Sequence, residues 1–329
     1  MSEILVLGHL CIDLMPSELG PVAFAAGGLR TAGPLHMRLG GAVAGTGRAL
    51  ADLGLPVRAA AAVGGDSLGV IVRDMVHAMF PAGADIDTLP AATSYSVVLQ
   101  PAGQDRMFLH HAGVNDLYTG AGARLPARGI VHVGYPPLMR ALVADGAQPL
   151  RDLFARARAL GTVTSLDMAV VDPTSDAARV PWREVLGRLG GLTDVFSPSF
   201  DDLTSAFGEP AGFSETRVER MADDLMEAGY GIVAIMCGEH GVYLATADAA
   251  RLAGAGTLVA RLAGPWAARR EWIAAEPVKA VVSTTGAGDT ASAGLLAGIA
   301  AGLEPRECLR FAVQAAAARI EGRALPAVQ

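Results

Sequence analysis

Short unbroken apolar runs alternate along most of the chain with longer stretches in which apolar positions recur every three or four residues. Residues 4–8, 57–63, 130–133, 162–166, 194–196 and 232–236 have the length and hydrophobicity of strands buried on both faces. Residues 42–53, 68–80, 138–160, 182–189, 215–228, 290–302 and 306–320 carry helical periodicity. Gly54 follows the first of these, where a helix end takes a left-handed residue. Strand and helix in alternation predict an α/β fold, with a largely parallel central sheet covered by helices on both faces.

Two segments depart from this rhythm. Residues 15–39 are rich in glycine and proline. Residues 92–111 hold two extended runs, 94–99 and 106–111, joined by Pro101-Ala102-Gly103-Gln104-Asp105, which predicts a β-hairpin. A β insert beside an α/β core can be a lid, a dimerisation flap, or an edge hairpin with no role, and the pattern leaves these open. A further irregular stretch, 246–278, carries Trp266 and Trp272 and has no assigned purpose.

With 329 residues, 51% of them hydrophobic, the chain can bury a sizeable core, so intrinsic disorder is excluded. A net charge of −7 argues against nucleic acid or an anionic membrane as the main partner. Lys279 is the only lysine, and no Gly-x-x-x-x-Gly-Lys precedes it, which excludes a P-loop. Cys11, Cys237 and Cys308 are widely spaced, without a C-x-x-C pair, and are expected to be small core residues. Met1-Ser2-Glu3 offers no basic signal-peptide start. The longest small-apolar stretch, 291–303, falls short of the ~20 residues of a membrane span. A soluble cytoplasmic protein is expected.

The strongest chemical signal is Ser283-Thr284-Thr285-Gly286-Ala287-Gly288-Asp289-Thr290, running into a small-residue helix. Free N–H groups at a helix start make an anion site. A carboxylate beside that site would repel an anion. It makes sense as a base that takes the proton from a hydroxyl attacking a bound phosphate. Read from the residues alone, Asp289 serves equally well as an acid favourably placed in a first helical turn. A second small-residue run, Gly40-Gly41-Ala42-Val43-Ala44-Gly45-Thr46-Gly47, allows close backbone approach but lacks the third glycine of a dinucleotide fingerprint. Gly65-Asp66-Ser67-Leu68-Gly69 matches the nucleophile elbow of serine hydrolases, with Asp167 and His240 as conceivable partners, but no HGGG-type oxyanion loop precedes it and a turn with Ser or Asp capping the next helix is the better reading.

Taken together, these motifs resemble the ribokinase-like (PfkB) carbohydrate kinase family. Residues 283–290 look like its C-terminal signature, and 40–54 followed by 63–69 look like its N-terminal one. The resemblance spans essentially the whole chain, through Val6-Leu7-Gly8 leading to Asp13, Ser165-Leu166-Asp167, Ser197-Pro198-Ser199 with Asp202, and Cys237-Gly238-Glu239-His240-Gly241.

The resemblance implies one ribokinase-like α/β domain, with a small β lid formed by residues of about 15–39 and 92–111. It implies ATP-dependent transfer to a hydroxyl of a sugar, sugar acid or nucleoside, with magnesium. Asp289 would be the general base, and the backbone of Gly286, Ala287 and Gly288 the anion hole. Asp13, Gly40 and Gly41 would meet the acceptor, with Gly45 at a position where the family usually has asparagine. Thr285, Gly286, Gly288, Ser199, Gly238 and Gly241 would meet ATP, and Asp202 the metal. A homodimer through the lid would be the assembly. Ser199 and Asp202 replace Asn and Glu, and Ser283 stands where potassium-activated members often carry Asp. A non-catalytic sugar- or nucleotide-binding relative would show the same departures.

Overall fold

The computed structural model describes residues 2–18, 27–29, 31–100 and 107–328. The expected hairpin turn, 101–105, lies outside the described residues, as does 19–26 of the Gly/Pro-rich stretch. Strands in chain order are β1 (Ile4–Gly8), β2 (Cys11–Pro16), β3 (Leu35–Gly40), β4 (Val57–Gly64), β5 (Ala84–Leu89), β6 (Tyr95–Leu99) and β7 (Met107–His111). They continue as β8 (Ile130–Gly134), β9 (Val163–Leu166), β10 (Val195–Phe196), β11 (Ile232–Met236), β12 (Val242–Thr246) and β13 (Arg270–Ile273). Helices are α1 (Ala42–Asp52), α2 (Ser67–Met79), α3 (Ala144–Ala159), α4 (Trp182–Leu189), α5 (Phe200–Ala206) and α6 (Glu215–Glu227). Short helices α7 (Ala249–Ala253), α8 (Thr257–Ala260) and α9 (Ala263–Trp266) precede the long α10 (Ala287–Ala301) and α11 (Pro305–Ile320).

The main sheet has nine strands in the order β13-β12-β11-β10-β9-β8-β1-β4-β5. β5, β4, β1, β8, β9, β10 and β11 run parallel, and β12 and β13 extend one edge antiparallel. Alternation along β1 feeds both faces. Ile4 and Val6 enter one apolar core with Leu50, Leu295 and Leu309, while Leu5 and Leu7 enter the other with Phe154, Leu186 and Leu225. No helix among the described residues is long and apolar enough to cross a membrane.

The strand order reverses at β1, which lies between β8 and β4, so a crevice opens beyond the carboxyl ends of β1 and β8. The two strands close up there through Gly8. Its φ is +142°, and a Cβ on it would lie 2.5 Å from the carbonyl oxygen of Gly134.

A second sheet, ordered β3-β2-β6-β7, draws on both irregular stretches of the sequence. β2 pairs antiparallel with β3 and parallel with β6, and β6 pairs antiparallel with β7. The register aligns Arg38 with Asp13, Asp13 with Ser96, and Ser96 with His110, so these four share one face.

Helix α10 is unusual in lacking a polar face: residues 289–299 are all buried. It packs between α1 and α11. The fit depends on missing side chains. A Cβ at Gly294 would sit 2.8 Å from the Ala312 Cα, and one at Gly298 2.4 Å from the Cys308 Sγ.

Three expectations are corrected. The helix expected from residue 138 is delayed: Pro136–Leu138 form a 3-10 turn, and within Ala144–Ala159 the residues Asp145, Gly146 and Ala147 have positive φ, so regular helical geometry begins only after Ala147. The helix expected from residue 290 starts at Ala287. The stretch 246–278 is ordered into α7, α8, α9 and the edge strand β13, with the Trp266 ring fully buried.

Candidate active site

Asp289 stands in the first turn of α10 and is only 8% exposed. Gly286, the residue before the helix, has φ +77°, a left-handed conformation that glycine adopts without strain. No side chain caps this end. The Ala287 amide donates to the Thr284 carbonyl at 3.2 Å. It is therefore spent on the turn, and the amides of Gly288 and Asp289 are the ones free of intrahelical partners. A Cβ on Gly288 would meet nothing within 4 Å.

Three elements hold the Asp289 carboxylate. Thr46 of α1 donates from Oγ1 at 2.9 Å, and the Tyr135 hydroxyl, just beyond β8, donates to both oxygens at 3.0 Å. Tyr135 reaches this position with φ +63°, left-handed geometry that a residue with a Cβ adopts at a cost. Gly45, one turn into α1, gives the carboxylate its space, since a Cβ there would lie 2.2 Å from Oδ2. The family's asparagine therefore has no room here. Burial pushes the Asp289 pKa up to about 6, opposed by the hydrogen bonds from Thr46 and Tyr135.

Two further buried acids, Asp167 beyond β9 and Asp202 in α5, are coupled to it electrostatically. Burial raises Asp202 to about 6. Asp167 is held well above the usual carboxylate range by burial and then by the charges of Asp202 and Asp289. Ser199 and Asp202 form a reciprocal capping box: Ser199 N–H donates to Asp202 Oδ2 at 2.8 Å, and Asp202 N–H to Ser199 Oγ at 3.0 Å. Both are thus partly committed to starting α5. Ser197 Oγ nearby is buried without a partner among the described residues.

On the other side of the crevice, Asp13 projects from β2. Gly40 makes room for it, because a Cβ there would fall 2.6 Å from the carboxylate. Burial raises the Asp13 pKa, against the hydrogen bonds of Cys11 and Ser96 and the charge of Arg38. Gly41 caps α1 at φ +84°, where a Cβ would strike His9. Asp13, Gly40, Gly41 and Gly45 thus lie in one cleft of about 2220 Å³ with Thr285, Gly286 and Asp289. Arg319 and Arg323 bring positive charge to the same cleft, and Arg319 Nε donates to the Thr285 carbonyl at 3.3 Å.

Not every expected residue gathers here. Ser199, Asp202, Gly238, Gly241, Ala287 and Gly288 are not among the residues that line this cleft. Gly238 starts the 3-10 turn between β11 and β12 with open space beside it, and a Cβ on Gly241 would lie 2.1 Å from the Ile273 carbonyl oxygen. Ser67 is the exposed first residue of α2, and no imidazole hydrogen-bonds to it among the described residues. Asp66 caps that helix through the Gly69 amide and also accepts from Thr93, so the segment is a turn rather than a nucleophile elbow. No local pattern marks Tyr135 or Arg319, which reach the site through tertiary structure, and Thr46 stands inside the Gly40–Gly47 run without being singled out by it.

A family model described as pfkB family carbohydrate kinase matches residues 1–325. The chain belongs to this family. Its members are phosphotransferases that act on sugar hydroxyls. The fold of this pfkB family chain is shared with solved structures of low sequence identity. Ribokinase from Arabidopsis thaliana, solved with ribose and ATP, aligns over 97% of this chain and 93% of its own, at 18% identity and a TM-score of 0.70. Ribokinase from Thermotoga maritima aligns over 99% and 97%, at 18% and 0.70. Phosphofructokinase-2 from Escherichia coli, in complex with potassium, aligns over 99% and 96%, at 16% and 0.73. No curated protein sequence matches the chain.

Proposed function

We propose that this pfkB family kinase transfers the γ-phosphoryl group of ATP to a hydroxyl of a sugar, sugar acid or nucleoside, with Asp289 as general base. The arrangement around Asp289 carries this reading: a buried carboxylate at an uncapped helix start, oriented by two hydroxyl donors, facing a cleft that also holds Asp13. Asp13 and the glycine edge at Gly40 and Gly41 hold the acceptor. Asp289, ionised above a pH of about 6, accepts the proton of the attacking hydroxyl. The amides of Gly288 and Asp289 and the left-handed turn at Gly286 face the transferred phosphoryl group, with Arg319 alongside. Thr285 at the cleft, with Ser199, Gly238 and Gly241 further along, forms the nucleotide side in this reading.

Buried, mutually repelling carboxylates are an oxygen donor set suited to magnesium. Asp202 would hold the ion together with Asp167, and when bound it would neutralise charge on the nucleotide phosphates. In the small sheet, Met37, Met107 and Leu109 are 41–54% exposed, an apolar surface that supports pairing with a second copy through the lid. Sedimentation of the parent and of Leu109→Asp tests that pairing.

The deciding experiment measures ADP release over a panel of sugars, sugar acids and nucleosides for the parent and Asp289→Asn. A general base contributes ~10²–10⁴-fold, so the variant should bind acceptor nearly normally and lose turnover by that factor. Near-normal turnover in Asp289→Asn would remove the assigned mechanism. Acceptor binding with no turnover in the parent would favour a non-catalytic relative.

A further inference from the structure

The small sheet and the floor of the cleft bring together three side chains that the kinase reading does not use. His9 follows β1, Cys11 opens β2 and His110 lies on β7. One ligand atom from each falls within 4.8 Å of the other two. The two Nε2 atoms are 3.3 Å apart. A zinc ion at 2.0–2.1 Å from each of two imidazoles in tetrahedral geometry spaces them by about 3.3 Å. The His110 ring is oriented from behind, with Nδ1 3.0 Å from Ser96 Oγ, the kind of outer contact that fixes a ligating imidazole. His9 Nδ1 is buried without a partner among the described residues, so the ring is held only through Nε2, which faces His110 Nε2. Cys11 Sγ is 3.6 Å from Asp13 Oδ1 and 3.8 Å from Ser96 Oγ, and the bond from the thiol to Asp13 is given up when its proton leaves.

We propose that His9, Cys11 and His110 form a site for a borderline-soft divalent ion of the zinc class. The ligands are His9 Nε2, His110 Nε2 and Cys11 Sγ, the last as thiolate after loss of its proton to solvent. All three line the cleft, which leaves the fourth position to water or a cleft ligand. The donor set selects the ion: two imidazoles and a thiolate suit zinc, whereas the carboxylates of Asp167 and Asp202 suit magnesium. An ion here ties the lid strand β7 to the floor beyond β1 and occupies the cleft beside Asp13. The site is independent of the kinase reading, because it requires no turnover.

The test is a zinc titration of the full-length, chelator-stripped protein against a chromophoric chelator, in excess magnesium so that hard carboxylate sites are filled. Cobalt is added in parallel as a spectroscopic reporter. We expect one zinc per chain and, with cobalt, a thiolate charge-transfer band with the intense visible bands of four-coordinate geometry. His110→Ala and Cys11→Ser should each lower zinc affinity at least 100-fold, and Cys11→Ser should abolish the charge-transfer band. Ser96→Ala, which removes the contact behind His110 together with the Ser96 bond to Asp13 and keeps all three ligands, should cost ~10–100-fold. Circular dichroism of each variant confirms folding, and Ser96→Ala keeps the test open if Cys11→Ser misfolds. Failure of the parent to bind zinc under excess magnesium overturns the proposal. So does unchanged affinity in His110→Ala, or a cobalt complex without a thiolate band.

Discussion

Replacing Asp289 by asparagine should make the protein more stable while it destroys turnover, and the gain should depend on pH. The carboxyl is only 8% exposed, and burial moves its pKa from 3.8 to about 6. The folded state therefore binds the proton more tightly than the unfolded chain. Asp289 is least costly at low pH, and stability is lost as pH rises from about 4 through about 6. At about 1.4 kcal/mol per tenfold difference in proton affinity, the ionised carboxylate costs about 3 kcal/mol by pH 7.5. Asparagine removes the charge and keeps the bonds, since its single oxygen, placed at Oδ1, can still accept from both Thr46 and Tyr135. Asp167 and Asp202 titrate in both proteins, so their effects largely cancel in the difference. The variant should gain about 2–3 kcal/mol at pH 7.5, and the gain should shrink by about 2 kcal/mol at pH 4.5. Denaturant titrations of both proteins at pH 4.5, 6.0 and 7.5, with chelator present, measure this. A variant less stable than the parent at pH 7.5, or a difference that does not change with pH, would refute a buried, strained base. The reverse pattern is expected of an acid that merely favours the helix start.

Gly45→Ala puts a methyl 2.2 Å from Asp289 Oδ2. Turnover should fall ~10²-fold and stability by ~1–3 kcal/mol, read from steady-state rates and melting curves. The pH profile of kcat/KM should rise through about 6 as Asp289 ionises, and a flat profile from pH 5 to 8 would count against Asp289 as the base. Exchanging sodium for potassium should change turnover less than twofold, roughly the scatter between assays, because Ser283 offers no carboxylate and its Oγ already accepts from the Thr285 amide at 3.2 Å. A severalfold rise in rate would show that backbone carbonyls alone build a potassium site.

The parts of the fold written in local pattern were legible. Trp182–Leu189 and Ile232–Met236 have the expected bounds, and α10 begins within one turn of the small-residue motif that announces it. What the pattern hid was decided by tertiary context. β5 was unread because Asp85 and Asp87 depress its strand character, yet pairing with β4 and ion pairs from Arg58 and Arg124 to Asp85 secure it. At the site, Asp289, Gly286 and Asp13 stand in recognisable strings, whereas Tyr135 follows Gly134 in no motif and earns its role through an unusual backbone angle. His9, Ser96 and His110 are likewise brought together only by strand register, which the sequence does not state.

The packing of α10 has a consequence for how this protein can change. The helix that carries Asp289 packs Leu295, Leu296 and Ile299 into the core, and at Gly294 and Gly298 it meets its neighbour so closely that not even a methyl fits. Substitutions there are paid in misplacement of Asp289. The outer strands β3 and β7 of the small sheet have much of their surface in solvent, and Leu35, Met37, Phe108 and Leu109 could be exchanged with little disturbance to the main core. The molecule is therefore divided into a half that cannot drift and a half that can. A deep mutational scan should show a sharp boundary between tolerance and intolerance, running between the two sheets.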